Sequence, residues 1–490
     1  MMGNKLQVAR IPEVSFGDAH SGYPRYAVVN WLFLRILGLI YIAAFASMAI
    51  QVEGLVGVDG ILPIESKLAA IRESLGPSAY WMYPSIFWVN ASDPVLFGAC
   101  LVGVLGGVAV LSDRFTRGAL VACYGLYLSL VFAGQDFMRF QWDMFLLEAG
   151  FLAILLCSGS TIIVFLFRWL LFRFMFLSGL VKVASGDAAW TNLTALLYHY
   201  ETQPLPTPLA WYVHHLPLWI HQVCVAGVLL IELVVAFFIF APGRLRLAAA
   251  GAFILLQSAI ILTGNYNFFN LLTILLCLFL FDDSQVSRLV GSERVSRIEN
   301  GSPRPGRWGT SLAATFAFIV LLSNATLAWS SYYRSRPVQP FYGVMAATLT
   351  LGIANTYGPF AVMTRNRGEI EIQASMDGVT WFPYEFRYKP GSLDTDLGWL
   401  IPHQPRLDWQ MWFAALRPER PPFWFYRLIH QLDEASPAVE RLFLKVPFSG
   451  QRPAYLRARF YRYSYSSPGQ RAATGHVWVR QLQHEIPLLE

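Results

Sequence analysis

Charge is what this sequence has least of. Asp, Glu, Lys and Arg make up 14% of its 490 residues, against roughly 25% in soluble domains. Hydrophobic residues reach 55%, a balance that excludes an ordinary water-soluble domain and points to a polytopic membrane protein. Cysteine is scarce, and Cys100, Cys123, Cys157, Cys224 and Cys277 all fall within apolar runs. With no CxxC pair and no Cys/His spacing of a zinc site, the pattern speaks against a disulfide framework, a metal centre and a thiol–disulfide exchange catalyst. A P-loop, a GxSxG elbow, an HExxH helix and a glycine-rich nucleotide fingerprint are all missing, so no catalytic class or cofactor announces itself. Lysine is rare beside arginine. The net charge of +6 is mostly an excess of arginine in the connections expected on the cytoplasmic side, read as topology and contact with membrane lipids rather than nucleic-acid binding.

What is present in quantity is long apolar runs. A crossing takes about 20 residues at the rise of a helix. Candidates are Ala27–Ile50, Pro94–Leu111, Gly118–Ala133, Asp143–Ser158, Thr161–Leu180, Leu218–Phe240, Leu245–Leu262, Phe268–Phe281 and Thr310–Trp329. The Asp143 and Phe268 runs are short enough to be tilted, re-entrant or internal. The first 26 residues are polar and the first apolar run has full spanning length, so no cleavable signal peptide is expected. Basic residues favour the cytoplasmic side. A cytoplasmic amino terminus with Lys5, Arg10 and Arg25 puts Arg114, Arg117, Arg244, Arg246, Arg288, Arg294, Arg297, Arg304 and Arg307 on that same side. Everything after Trp329 is then non-cytoplasmic.

The expected fold is an α-helical polytopic membrane bundle of about nine spans with a C-terminal extramembrane α+β, strand-rich domain. Residues 1–285 form the bundle with two long outer loops, 51–93 and 187–222. Residues 286–309 form a cytoplasmic linker rich in Ser, Arg, Gly and Pro, 310–329 the last span, and 330–490 a non-cytoplasmic soluble domain. Within that domain EIEIQA alternates from Glu369, Asp377-Gly378 is a hairpin signal, and Tyr455–Tyr465 and Gly475–Gln483 alternate again. Trp409–Leu416 and Phe423–Leu432 read as helices, and Pro437–Leu444 as the start of a third.

Charged residues inside spans mark function or internal pairing. Arg35, Asp143, Glu148, Arg173, Lys182 and Glu232 are the candidates here. One reading is a set of ion pairs, with Arg35 or Arg173 neutralising Glu148 or Glu232, and Arg139 and Asp136 sharing a face with Asp143. The other is a catalytic interior of Arg35, Asp143, Glu148, Lys182, His199 and Glu201, with Lys182 or His199 as base. The 187–222 loop carries no Lys or Arg but is dense in aromatics, with His199, His214, His215 and His221 among them. Those histidines read as loop anchors more readily than as metal ligands. Asn265, Asn267 and Asn270 suit helix–helix hydrogen bonds. The run from His403 through Arg406, Asp408, Trp409 and Trp412 suits protein recognition, since Trp and Arg anchors dominate such surfaces; an Arg406–Asp408 pair with a tryptophan core is its structural alternative.

The segments FLRILGLIYIAAFASM, VEGLVGVDGILP and FQWDMFLLEAGFLAILL, then RWLLFRFMFLSGLVKVASGDAAWTNLTALLYHYETQPLPTPLAWYVHHLP, NFFNLLTILLCLFLFDD, IANTYGPFAVMT, DGVTWFPYEFRYKPG and HQPRLDWQMWFAAL occur here in order. The chain resembles the lipase maturation factor family over about Asn30 to Leu416. More remotely the membrane part is similar to the horizontally transferred transmembrane domain proteins and the vitamin K-dependent carboxylases. The family resemblance implies a chaperone-like factor of the endoplasmic reticulum membrane that helps secreted lipases fold and assemble, with the C-terminal region tied to client binding and no established catalytic residues. Exposed aromatics, Trp190, Trp211, Trp381, Trp409 and Trp412, with His403, Arg406 and Asp408, would then hold a lipase-like exported client. The remoter kinship implies an alternative, an integral-membrane enzyme acting on a lipid, quinone or tethered peptide. The ending HEIPLLE, without a retrieval tetrapeptide, and the preference for arginine lead to the expectation of a bacterial source and the cytoplasmic membrane.

Overall fold

A computed structural model describes residues 26–303, 306–333 and 337–489; Lys5, Arg10, Arg25 and Arg304 lie outside them. Among the described residues, seven helices are long and apolar enough to cross a membrane: Ala27–Ala49, Asp93–Leu111, Thr116–Ala133, Thr161–Ala184, Leu218–Phe240, Arg244–Thr263 and Arg307–Ser330. The two runs that the sequence marks as short are the exceptions. Gln141–Leu156 has 16 residues, about 24 Å of helix. Phe269–Leu280 bends by 118° into Asp283–Val290. Both still run from one end of the bundle to the other. The turn before Gln141 meets the C-terminal domain, where the Phe137 carbonyl accepts from Arg406 at 3.0 Å, and the far end reaches Gly159, which lies against Pro303. Similarly Asn267 donates to Gln404 at 2.7 Å, while Asp283 at the other end accepts from the Val29 N–H at 2.9 Å. These two passes are short because protein, not lipid, surrounds them: most of Gln141–Leu156 is buried.

The end bearing the C-terminal domain is called the upper end here. At the lower end Asp283 sits at the start of the first span, where a carboxylate meets free backbone N–H groups and the positive end of the helix dipole. The stretch expected as a linker is instead two short helices, Asp283–Val290 and Ser292–Gly301, folded against the first span. Amphipathic spacing (Val286, Val290, Val295, Ile298) supplies the apolar contacts. The first two spans approach through glycine. A methyl at Gly38 would lie 2.7 Å from the Gly107 carbonyl oxygen, and one at Gly107 2.8 Å from that of Gly38. Without side chains there the two backbones touch, which is how helices associate where burial of apolar surface gives no advantage over lipid.

After the last span, Phe341–Thr350 folds back against it as a further apolar helix, and the segment around Asn355 and Tyr357 enters the bundle. The strand-rich part begins at β1 (Arg367–Ser375), followed by β2 (Phe382–Pro383), β3 (Glu385–Phe386), β4 (Phe443–Lys445), β5 (Tyr455–Tyr465) and β6 (Trp478–Leu489). One antiparallel sheet has the order β2-β1-β5-β6, and β3 pairs with β4. Asp377 closes the first hairpin by accepting from the N–H groups of Thr380 and Val379, with Gly378 at φ +71. Both faces of the sheet are covered. Leu456, Ala458 and Phe460 join the main core, while Tyr461, Tyr463 and Tyr465 pack with Tyr200 and Trp211 of the 187–222 loop. Helices Arg406–Ala415 and Phe423–Asp433 separate β3 from β4 and dock on the upper end.

Candidate functional site

The upper end of the bundle, the 187–222 loop and helix Arg406–Ala415 enclose a cavity of about 420 Å³. Its walls are mainly apolar, among them Phe174, Leu256, Ile260, Phe269, Phe360 and Leu416. Lys182, in the last turn of the Thr161–Ala184 span, reaches both carboxylate oxygens of Glu232 at 2.8 Å and the Ser178 carbonyl at 3.1 Å. Its ammonium also lies 5.4 Å from the Trp190 ring centroid. Ammonium and carboxylate therefore neutralise each other on the cavity wall. Among the described residues, the indole N–H groups of Trp142 and Trp409 and the amide oxygen of Asn270, whose side chains also line the cavity, have no hydrogen-bond partner.

His199 forms part of the same wall, on the short helix Ala195–Thr202. Tyr266 donates its hydroxyl proton to Gln203 Oε1 at 3.1 Å, so its 3.3 Å contact with His199 Nε2 needs the proton on the imidazole. Burial, with the Lys182 charge beside it, pushes the His199 imidazole down to about 4. Burial likewise lowers His403 to about 4. Both rings are neutral when folded and near 6.5 when unfolded. Above pH 6.5 this costs nothing; between pH 6.5 and 4 the unfolded chain takes up protons the folded chain resists, so stability falls. For His199 the loss is at most about 3 kcal/mol by pH 4. Hydrogen exchange in the 187–222 loop is expected to accelerate as pH drops from 7 to 5 relative to the bundle, after correction for the intrinsic rate, with His199→Gln removing part of the slope and His214, also lowered to about 4 by burial, supplying the rest. A loop equally protected at both pH values would contradict this.

The six residues that could have formed a catalytic interior do not converge. Lys182 and His199 share the cavity. Asp143 is held bidentate by Arg406 at 2.7 Å and also accepts from Tyr127 at 2.7 Å. Glu148 pairs with Arg173 and accepts from Tyr357 at 2.7 Å. Arg35 pairs with Asp113 at the lower end at 2.7 Å. Glu201, whose carboxyl is pushed up by burial, accepts from the Tyr465 N–H at 2.9 Å and lies 3.9 Å from His214.

Several expected pairings are corrected. Helix Gln141–Leu156 starts beyond Arg139, so Arg139 and Asp136 are exposed and share no helix face with Asp143. Arg406 does not pair with Asp408, which instead accepts from the N–H groups of Tyr388 and Lys389 at 2.8 and 2.9 Å. Of the three asparagines only Asn270 makes the expected helix-to-helix bond, to Gln257, while Asn265 holds Gly398 and Leu400 and Asn267 holds Gln404.

The expected client-binding aromatics are mostly internal. Trp190, Trp211 and Trp409 are 4%, 7% and 4% exposed, and Arg406 and Asp408 are buried. His403 and Trp412 are half-buried, the first at hydrogen-bond distance from Ser47 and the second bonded to the Thr202 carbonyl. Trp381 is half-buried beneath the Arg457 guanidinium. Large rings in a chain that folds three layers together are drawn into the seams between them. Exposed aromatics at the upper end are instead Trp81, Trp219, Trp399, Phe423 and Tyr426. Sequence reasoning also missed the buried set of Arg367, Glu369 and Lys389, where both cations contact Glu369. Its signal, alternation in EIEIQA, assigns Glu369 to a solvent face; in fact the 187–222 loop lies over Arg367 and the segment around Lys389 over Glu369.

Residues 28–288 match the family described as the lipase maturation factor transmembrane domain, and residues 353–487 the lipase maturation factor C-terminal domain. Lipase maturation factor 2 of Rattus norvegicus is 34% identical over 591 residues, covering 94% of this chain and 83% of the relative. For Homo sapiens lipase maturation factor 2 the identity is 33%, covering 93% and 81%. Lipase maturation factor 1 of Mus musculus is 33% identical, covering 97% and 88%. No solved structure matches. These relatives are animal proteins and lend no support to the bacterial source expected from the arginine bias. With both domains matched in order and similarity extending over more than nine-tenths of its length, the chain belongs to the lipase maturation factor family.

Proposed function

We propose that this chain is a membrane-anchored maturation factor that holds a lipase-like exported protein while it folds and assembles. The observation that carries the reading is the match to both domains of proteins named for lipase maturation, over nearly the whole chain. Support comes from the way the C-terminal domain is fixed to the bundle: Ser47, Gln51 and Asp143 below grip Gln404 and Arg406 above. Such anchoring makes a rigid platform of the 51–93 loop, the 187–222 loop and the sheet. The arginine bias supports a platform on the non-cytoplasmic side, which is the lumen if the membrane is that of the endoplasmic reticulum.

Phe423 and Tyr426 stand one helical turn apart, 70% and 57% exposed, on a helix whose opposite face is buried. They form the client contact in this reading. A secreted lipase expressed in cells without their own maturation factors should appear in active form when this chain is supplied. The double replacement of Phe423 and Tyr426 by Ala should lower active lipase by about tenfold or more, at unchanged level of the chain. Lipase yield indifferent to the chain would refute the function. Yield indifferent to the double variant alone would move the contact elsewhere on the platform.

A further inference from the structure

At the lower end, opposite the platform, a second cavity of about 440 Å³ opens between the first span, the turn after the second span and the short helix Ser292–Gly301. Asn30, Trp31, Arg35, Asp113, Arg294 and Arg297 line it. Three cations face one carboxylate there. That carboxylate is already committed, accepting from Trp31 Nε1 at 3.0 Å and Thr116 Oγ1 at 3.1 Å and pairing with Arg35 at 2.7 Å.

Arg35 is the informative member. It stands eight residues into a membrane-spanning helix, about 12 Å from its start, and is 7% exposed. Among the described residues its Nε has no hydrogen-bond partner, and neither has the Asn30 side-chain oxygen close by. A buried guanidinium carries several donors, and leaving one unmet in an apolar setting is costly. Arg294 and Arg297 are exposed and one turn apart, so both present to the cavity mouth from the same helix face. The walls add Leu34, Leu156 and Ile298, which suits a ligand that is charged at one end and apolar at the other. Basic pockets between helices at the membrane surface are the sites that anionic head groups fill.

We propose that this cavity binds the phosphate-bearing head group of an anionic phospholipid, with Arg35 as the buried partner and Arg294 and Arg297 at the rim. An acyl chain would lie along the apolar wall. The net positive lining selects against a choline head group, whose own cation would meet the arginines. The site stands apart from the client platform and does not rest on the client reading.

The test uses the full-length protein in an uncharged detergent. It is titrated separately with dioleoylphosphatidylglycerol, dioleoylphosphatidylcholine and inorganic phosphate while thermal unfolding is followed. Phosphatidylglycerol is expected to raise the midpoint at lower concentration than phosphatidylcholine, and phosphate to leave it unchanged. The double variant R294Q/R297Q, which changes exposed side chains and leaves Arg35 in place, should need about tenfold more phosphatidylglycerol for the same rise. Equal responses of the two lipids, or of wild type and R294Q/R297Q, would overturn the proposal. Phosphate reproducing the effect of phosphatidylglycerol would assign the site to a soluble anion and overturn the lipid.

Discussion

Replacing Arg406 with Ala is expected to cost about 3–5 kcal/mol, the range for breaking a buried pair and leaving one charge behind. Asp143 would be the stranded group: it is fully buried, and Arg406 supplies two of its hydrogen bonds. The Phe137 carbonyl would lose its donor as well. Because the pair joins the C-terminal domain to the fourth pass of the bundle, the damage should be local first. Limited proteolysis is expected to release fragments of residues 367–489 at protease levels that leave the wild type intact, and the thermal midpoint to fall by about 3–5 °C. The combined replacement Arg406→Met and Asp143→Leu removes both charges and should recover most of the loss. A single variant as resistant as wild type would show that the domain is held by other contacts.

Glu148→Ala is expected to have an effect of similar size, about 3–5 kcal/mol, but in the bundle itself. Glu148 faces Arg173 across the fourth and fifth passes and accepts from Tyr357 and Asn355. Arg173 in turn donates to Asn324 of the last span and the Asn355 carbonyl, at 2.7 and 2.9 Å. One carboxylate thus ties three passes to the segment that re-enters them. Glu148→Gln keeps hydrogen-bonding groups but leaves the guanidinium uncompensated, so it should recover little. Glu148→Leu with Arg173→Met should recover more. Thermal unfolding of the purified variants checks the order. Glu148→Gln matching wild type would mean that charge compensation matters less here than hydrogen bonding.

Much of this architecture was legible because it is written in short-range pattern. The alternation over Tyr455–Tyr465 predicts a strand, and β5 matches it residue for residue. Phe423–Leu432 reads as a helix and differs from the observed one by one residue. The span limits fall within a few residues of the helices. Hydropathy over 20 residues, a period of 2 or 3.6, and a turn residue such as Gly378 act locally, so a single sequence carries them.

What the sequence by itself determined, then, is a membrane bundle with an arginine-rich end and a strand-rich domain after the last span. What the tertiary structure decided is who partners whom. Asp143 pairs with a residue 263 positions away, not with Arg139 four positions away. Trp190, Trp211 and Trp409 close seams instead of forming a surface, and Glu369 is buried although it alternates with isoleucine. Arg35 is left with an unmet donor beside a cavity that two distant arginines share. A buried charge takes whichever counter-charge the packing brings to it, and an aromatic ring is inside or outside according to the element laid over it. Both depend on contacts between elements far apart in the chain, which no local pattern records.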